Sequence, residues 1–138
     1  MSIAYYEDLI DNSNKKIEKY RRQIDGLQKF EKETDRRMNK SSKIIHQRRN
    51  NIYHSMSEFQ KHPSMKKFTT TLADAIDGAY EHSVSDNYQS VKDEIQDAIR
   101  RLNRKISDEK DNIAYYLRII DELEEEERRR QEEEEGEE

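Results

Sequence analysis

The chain has 138 residues, 31% of them hydrophobic and 41% charged, with a net charge of −5. That length bounds it to one domain, and that composition excludes a compact globular core of ordinary size. There is no cysteine, which excludes disulfides and thiolate metal sites, and no apolar run approaches the ~18 residues of a membrane span.

So polar a chain can still fill a narrow seam between long helices, which needs only two or three apolar residues in seven. The opening MSIAYYEDLIDNSNKK carries acids where a signal peptide needs bases, and it lacks a continuous apolar stretch. The expectation is a protein kept in the cytoplasm, or exported by a route that uses no cleaved signal.

From Ile3 onward every seventh residue reads Ile3, Ile10, Ile17, Ile24, Glu31, Met38, Ile45 and Ile52, apolar in all but one case. The companion row, Tyr6, Ser13, Tyr20, Leu27, Thr34, Ser41 and Arg48, is apolar early and polar late. A heptad sustained this far predicts one long helix of coiled-coil type. Leu9, Phe30 and Ile44 fall just before the first row and widen its apolar stripe.

The only proline, Pro63, sits in FQKHPSMKKF. Proline removes a backbone donor and disfavours helix in the residue before it, so the main turn is placed near 61–64, with Ser64 as N-cap and Phe68 just beyond. From there the apolar residues are Met65, Phe68, Leu72, Ala75, Ile76, Ala79, Tyr80 and Val84, out of phase with the heptads of the C-terminal half. A stutter or short break is therefore expected beyond Gly78, in the HSVSDN stretch at 82–87. Residues 65–80 are read either as a short middle helix or as part of the second long one.

The last long helix repeats the heptad in Ile99, Ile106, Ile113 and Ile120, and in Tyr88, Ile95, Leu102, Glu109, Tyr116 and Leu123. Val91, Ala98 and Ile119 occupy its stripe-widening position. The fold class expected is all-α, an antiparallel hairpin of two long helices over 1–127, followed by an acidic charged tail at 128–138. Folding back at Pro63 sets opposite each other positions whose numbers add to about twice 63, such as Ile10 with Tyr116, Tyr6 with Ile120, Tyr20 with Ile106 and Met38 with Tyr88. Each row then meets the opposite row, as an antiparallel coiled coil requires. The same register sets the acid-free run of Arg36, Arg37, Lys40, Lys43, Arg48 and Arg49 opposite Asp77, Glu81 and Asp86.

Motifs for chemistry are missing. His46, His54 and His62 are eight residues apart, which on a helix drifts roughly 80° per step, so they do not form a metal site. There is no GxSxG elbow and no glycine-rich phosphate loop. The expectation is a non-enzyme with no cofactor and no metal.

What remains is a surface for binding. Leu9, Phe30, Ile44, Val91 and Ile119 are candidates to meet a helical partner, with Tyr5 and Tyr115 at the rim where the termini meet. The competing readings are a homodimeric coiled coil or spacer that covers the stripe with itself, and a basic-helix nucleic-acid binder using 36–49. The acidic balance of the chain counts against the last.

The chain also resembles a bacterial group. It opens M-S-x-x-Y-Y with Met1, Ser2, Tyr5 and Tyr6, then has a long helix to about residue 60, a break, Phe68 shortly after, and Lys105-Ile106-Ser107-Asp108 in the last helix. These features are similar to the small helical proteins encoded beside LXG-type toxins of the type VIIb secretion system, relatives of the WXG-type ESX hairpins. The resemblance implies a chaperone or targeting factor that binds the helical N-terminal LXG domain of a toxin, with a second small helical protein as a further partner. Two family features are missing. The turn stretch Lys61-His62-Pro63-Ser64-Met65 lacks the Trp-x-Gly, and the tyrosines at 5, 6, 88, 115 and 116 are followed four on by Leu9, Ile10, Lys92, Ile119 and Ile120 rather than by an acid. The resemblance then implies an adaptor that accompanies a signal-bearing partner.

Overall fold

The computed structural model describes residues 2–55, 57 and 62–136, the side chain of Glu81 excepted. Among them the chain is almost entirely helical and has no strand. Helix α1 spans Ile3–Ser55, α2 spans Pro63–Ala79 and α3 spans Asp86–Gly136, with a π-helical segment at Tyr80–Ser85 between α2 and α3.

Local chemistry explains the long helices. The Tyr5 amide donates to Ser2 Oγ at 3.3 Å, so a serine satisfies one of the free donors at the start of α1. On the exposed face, Lys15 reaches Asp11 at 3.0 Å and Arg22 reaches Glu18 at 3.1 Å, each one turn away. Such pairs stabilise a helix by only ~0.2–0.5 kcal/mol each. Most of the stability of a long amphipathic helix must therefore come from its packed face.

The entry to α2 corrects one expectation. His62, not Ser64, is the N-cap, in an extended conformation with φ −94° and ψ 124°, and Pro63 opens the helix. Proline pushes the residue before it out of helical space, and its own missing donor costs nothing in the first turn. Ser64 is thus already inside the helix. Of the turn expected near 61–64, residue 61 lies outside the described residues.

Of the stutter or short break expected beyond Gly78, the structure has the stutter, as a π-helical segment at Tyr80–Ser85. Ala79, Tyr80 and Asp86 all keep right-handed helical backbone angles, so helix runs on from Pro63 to Gly136 and no middle helix folds back. The change of phase is made by the π segment instead. Ala73 and Tyr80 are seven residues apart, Tyr80 and Tyr88 eight, and Tyr88 and Ile95 seven again, and all four are buried or half-buried. One extra residue would rotate everything upstream by about 100° on an α-helix. A turn with i→i+5 bonding absorbs that residue and keeps both stretches facing the seam.

The chain divides into two compact units, Met1–Gly26 with Ala98–Glu138, and Leu27–Asp97. In the first, Ile17, Ile106 and Ile120 are buried and Ser13 beside them is buried too. Lys16 Nζ lies 3.8 Å from Glu109 Oε1, and Lys105 Nζ lies 5.7 Å from the centre of the Tyr20 ring. The Tyr6 and Tyr116 rings are 6.2 Å apart. As numbers rise on one segment they fall on the other, so the two segments of this unit run antiparallel. Glu109 interrupts its apolar heptad row, and the Lys16 contact accounts for a carboxylate in that half-buried place. Each buried isoleucine contributes ~1.5–3 kcal/mol relative to exposure.

The second unit has a more polar seam. Ala73 and Ile95 are buried together with Thr34 and Thr69. Both threonine hydroxyls donate to a carbonyl one turn back, Thr34 to Phe30 and Thr69 to Met65, each at 2.9 Å. That satisfies them within their own helix. Across the unit, Lys92 Nζ meets Asp35 Oδ1 at 2.8 Å, Arg49 Nε meets Asp77 Oδ2 at 3.3 Å, and the Tyr80 hydroxyl donates to the Met38 carbonyl at 3.3 Å. Ser41 Oγ and the Tyr88 hydroxyl share a hydrogen bond of 3.4 Å, so Tyr88 meets Ser41 where the register expected Met38.

Among the described residues, which do not include the Glu81 side chain, the cross-helix charge pairing expected for 36–49 is realised in Arg49. Arg36 and Arg37 bind Glu33 on their own helix instead, at 2.8 and 3.2 Å. A partner one turn away is nearer than one across the seam, and exposed ion pairs gain too little to overrule that.

Two changes to the chain test this packing. An added Cβ at Gly26 meets nothing within 4 Å, and its backbone has no positive φ. Gly26→Ala should therefore raise stability by about 0.5–1 kcal/mol, read as a higher urea midpoint. Deleting Ser83 restores the seven-residue spacing between Tyr80 and Tyr88. It should give an uninterrupted α-helix with unchanged helicity and a melting temperature no lower than that of the parent chain.

Candidate functional site

In the first unit the aromatic residues form a ladder of four rings. Tyr5 packs edge-on against Tyr6 at 5.2 Å, Tyr6 against Tyr116 at 6.2 Å, and Tyr116 edge-on against Tyr115 at 5.9 Å. The two inner rings are half-buried, while Tyr5 and Tyr115 are 44% and 54% exposed. Arg118 stacks its guanidinium over the Tyr115 ring at 6.0 Å. Rings held this way lose little rotamer freedom on binding and offer large contact areas with polar tips. A cleft of about 330 Å³ lies in the same unit, lined by Ser2, Ile3, Leu123, Glu126, Glu127 and Arg130.

The structure thus brings Tyr5 and Tyr115 to the two ends of one ladder. Leu9 and Ile119, from the same unit, are half-buried rather than fully exposed. In the second unit Phe30 and Ile44 are 52% and 42% exposed, and Val91 is half-buried. Pro63, Ser64 and Phe68 are exposed, and Phe68 is as open as Phe30. It therefore belongs with the surface apolar residues as much as with the turn. Sequence reasoning missed Leu117, which is 49% exposed. It lies on neither heptad row nor on the widening position, so a search by heptad passes over it.

Three charged groups are shifted by the partners they hold. Hydrogen bonds from Arg36 and then Arg37 hold the Glu33 carboxyl below the usual glutamate range, and Glu33 in turn raises Arg36. The hydrogen bond to Asp35, followed by its negative charge, raises Lys92 above the usual lysine range. None of these arrangements places a base beside a nucleophile. Among the described residues no group of three histidines or acids is set to hold a metal ion, and His46, His54, His62 and His82 are all exposed. No described helix is long and apolar enough to cross a membrane. Compared with protein-family models, curated proteins and solved structures, the chain matches none.

The Glu33 shift has a definite sign. A carboxyl lowered by folding contributes stability above its unfolded value and loses it as pH falls through the folded one. The stability difference between the parent chain and Glu33→Gln should be present at neutral pH. It should close as pH drops below the usual glutamate range in thermal melts.

Proposed function

We propose that this protein is a helical adaptor that lays an apolar stripe along a helical protein partner. In this reading α1 forms one arm of an antiparallel hairpin, and α2, the π segment and α3 form the other. The partner is the helical N-terminal domain of an LXG-type toxin, and the role is that of a chaperone or targeting factor for type VIIb secretion. A second small helical protein can complete the cover. The adaptor works in the cytoplasm and leaves the cell, if it does, with a partner that carries the export signal.

One observation carries this reading. Phe30 and Ile44 remain exposed after the helices of their unit have packed. They lie two heptads apart on α1, within that one unit. Apolar residues aligned at heptad spacing are what helix-in-groove recognition uses. In the other unit the aromatic ladder, with Tyr5 and Tyr115 exposed, has the composition of a contact surface. The toxin-domain identity of the partner rests on the sequence resemblance alone.

A homodimeric spacer would cover the same stripe with a second copy. Solution mass at high salt separates the two. A single-chain mass leaves the stripe for another protein, whereas a dimer assigns it to self-association. The direct experiment is co-purification with the LXG domain encoded beside the gene. A stoichiometric complex is expected, and replacing Leu9, Ile44 and Ile119 together by serine should weaken it by at least about a hundredfold, as loss of several interface anchors does. Helicity should stay as in the parent chain. Unchanged binding by that triple variant would remove the proposal.

A further inference from the structure

Two oppositely charged surfaces of this chain are left without partners among the described residues. On α1 the run from Arg36 to Arg49 contains no acid. Arg36 and Arg37 share Glu33 and Arg49 takes Asp77, but Lys40, Lys43 and Arg48 are exposed and have no ion pair among the described residues. The other surface is the distal part of α3. Its sequence from Glu124 is EEEERRRQEEEE, and every residue of it is exposed.

That distal helix is ordered by its own charges. Arg130 Nη2 binds Glu126 Oε1 at 2.9 Å, and the EEEERRR spacing sets each arginine four residues after a glutamate. Helix continues through 128–136, within the stretch 128–138 read from sequence as an acidic charged tail. The block Glu132–Glu135 has no ion pair among the described residues, and no base occupies the last turn. Four carboxylates therefore stand at the negative pole of a helix, where the backbone dipole disfavours them and a cation relieves them.

We propose that the C-terminal arm of one copy, residues 124–136, docks on the Lys40–Lys43–Arg48 face of a second copy. Both surfaces are rigid helix, so little chain entropy opposes the contact. Donor and acceptor surfaces differ, so each copy can give its arm to one neighbour and accept an arm from another. The association is heterologous and grows head to tail. It uses charges, not the apolar stripe, and is independent of the adaptor reading. Being exposed, it is sensitive to salt.

Light scattering across concentrations tests it. At low ionic strength the mass should rise well above the 16.7 kDa of one chain, and in about 0.5 M salt it should return to the value set by the apolar stripe alone. A chain truncated after Leu123 and the triple variant K40E/K43E/R48E should each lose the low-salt assembly. Mixed in equal amounts, they should form a one-to-one complex and nothing larger, since one keeps only the acceptor and the other only the arm. Circular dichroism checks the fold, and K40Q/K43Q/R48Q replaces the glutamate variant if that one loses helicity. A single-chain mass at all concentrations in low salt would overturn the proposal. So would an assembly that survives both changes, or two variants that ignore each other. Retention of a labelled oligonucleotide by the same lysines, in a protein that stays single, would assign the face to a nucleic acid instead.

Discussion

Stability in this protein depends on burying a thin line of isoleucines between helices. Ile17, Ile106 and Ile120 do this in one unit and Ile95 with Ala73 in the other. At ~1.5–3 kcal/mol for each large side chain, so few buried residues leave little in reserve. The long helices follow from that scarcity. A chain with 41% charged residues can collect enough apolar contact only by spreading it along an extended seam. The rest of its surface is then available for local ion pairs and for other molecules.

A seam of this kind demands that register be kept on both sides over its whole length. Within the second unit this is done with polar contacts, the Lys92–Asp35 and Arg49–Asp77 pairs and the Tyr80 hydroxyl on the Met38 carbonyl. Such partly exposed contacts add little stability, but each is made in one register only. The π segment at Tyr80–Ser85 belongs to the same requirement. It lets Ala73 and Tyr80 on one side, and Tyr88 and Ile95 on the other, face the same way despite an extra residue between them.

Much of this was legible in the residues, and the misses have physical causes. The isoleucine heptads and the proline marked the long helices, and the phase slip between Tyr80 and Tyr88 showed that something must happen there. Heptad counting cannot tell a break from a π turn, because both absorb one residue and differ only in where the backbone bonds go. Ser64 has the side chain of an N-cap, yet Pro63 moves the cap two residues earlier, to His62, so steric exclusion at His62 prevailed over propensity. Opposite charges at matching positions suggested pairing across the seam, but Glu33 was close enough to take both Arg36 and Arg37. Of the surface residues, Phe30, Ile44, Tyr5 and Tyr115 were found because they sit beside the heptad rows. Leu117 was not, since exposure of a residue outside any pattern is decided only by packing.

The tyrosine ladder has an optical consequence. The chain has eight tyrosines and no tryptophan, and four of the tyrosines stand within one line of ring contacts. Phenol emission in this protein is therefore weighted toward one small region, with no indole to quench or mask it. Any molecule that covers the outer rings changes their solvation directly. The protein thus reports on events at that end through its own fluorescence, without a dye or an added chromophore.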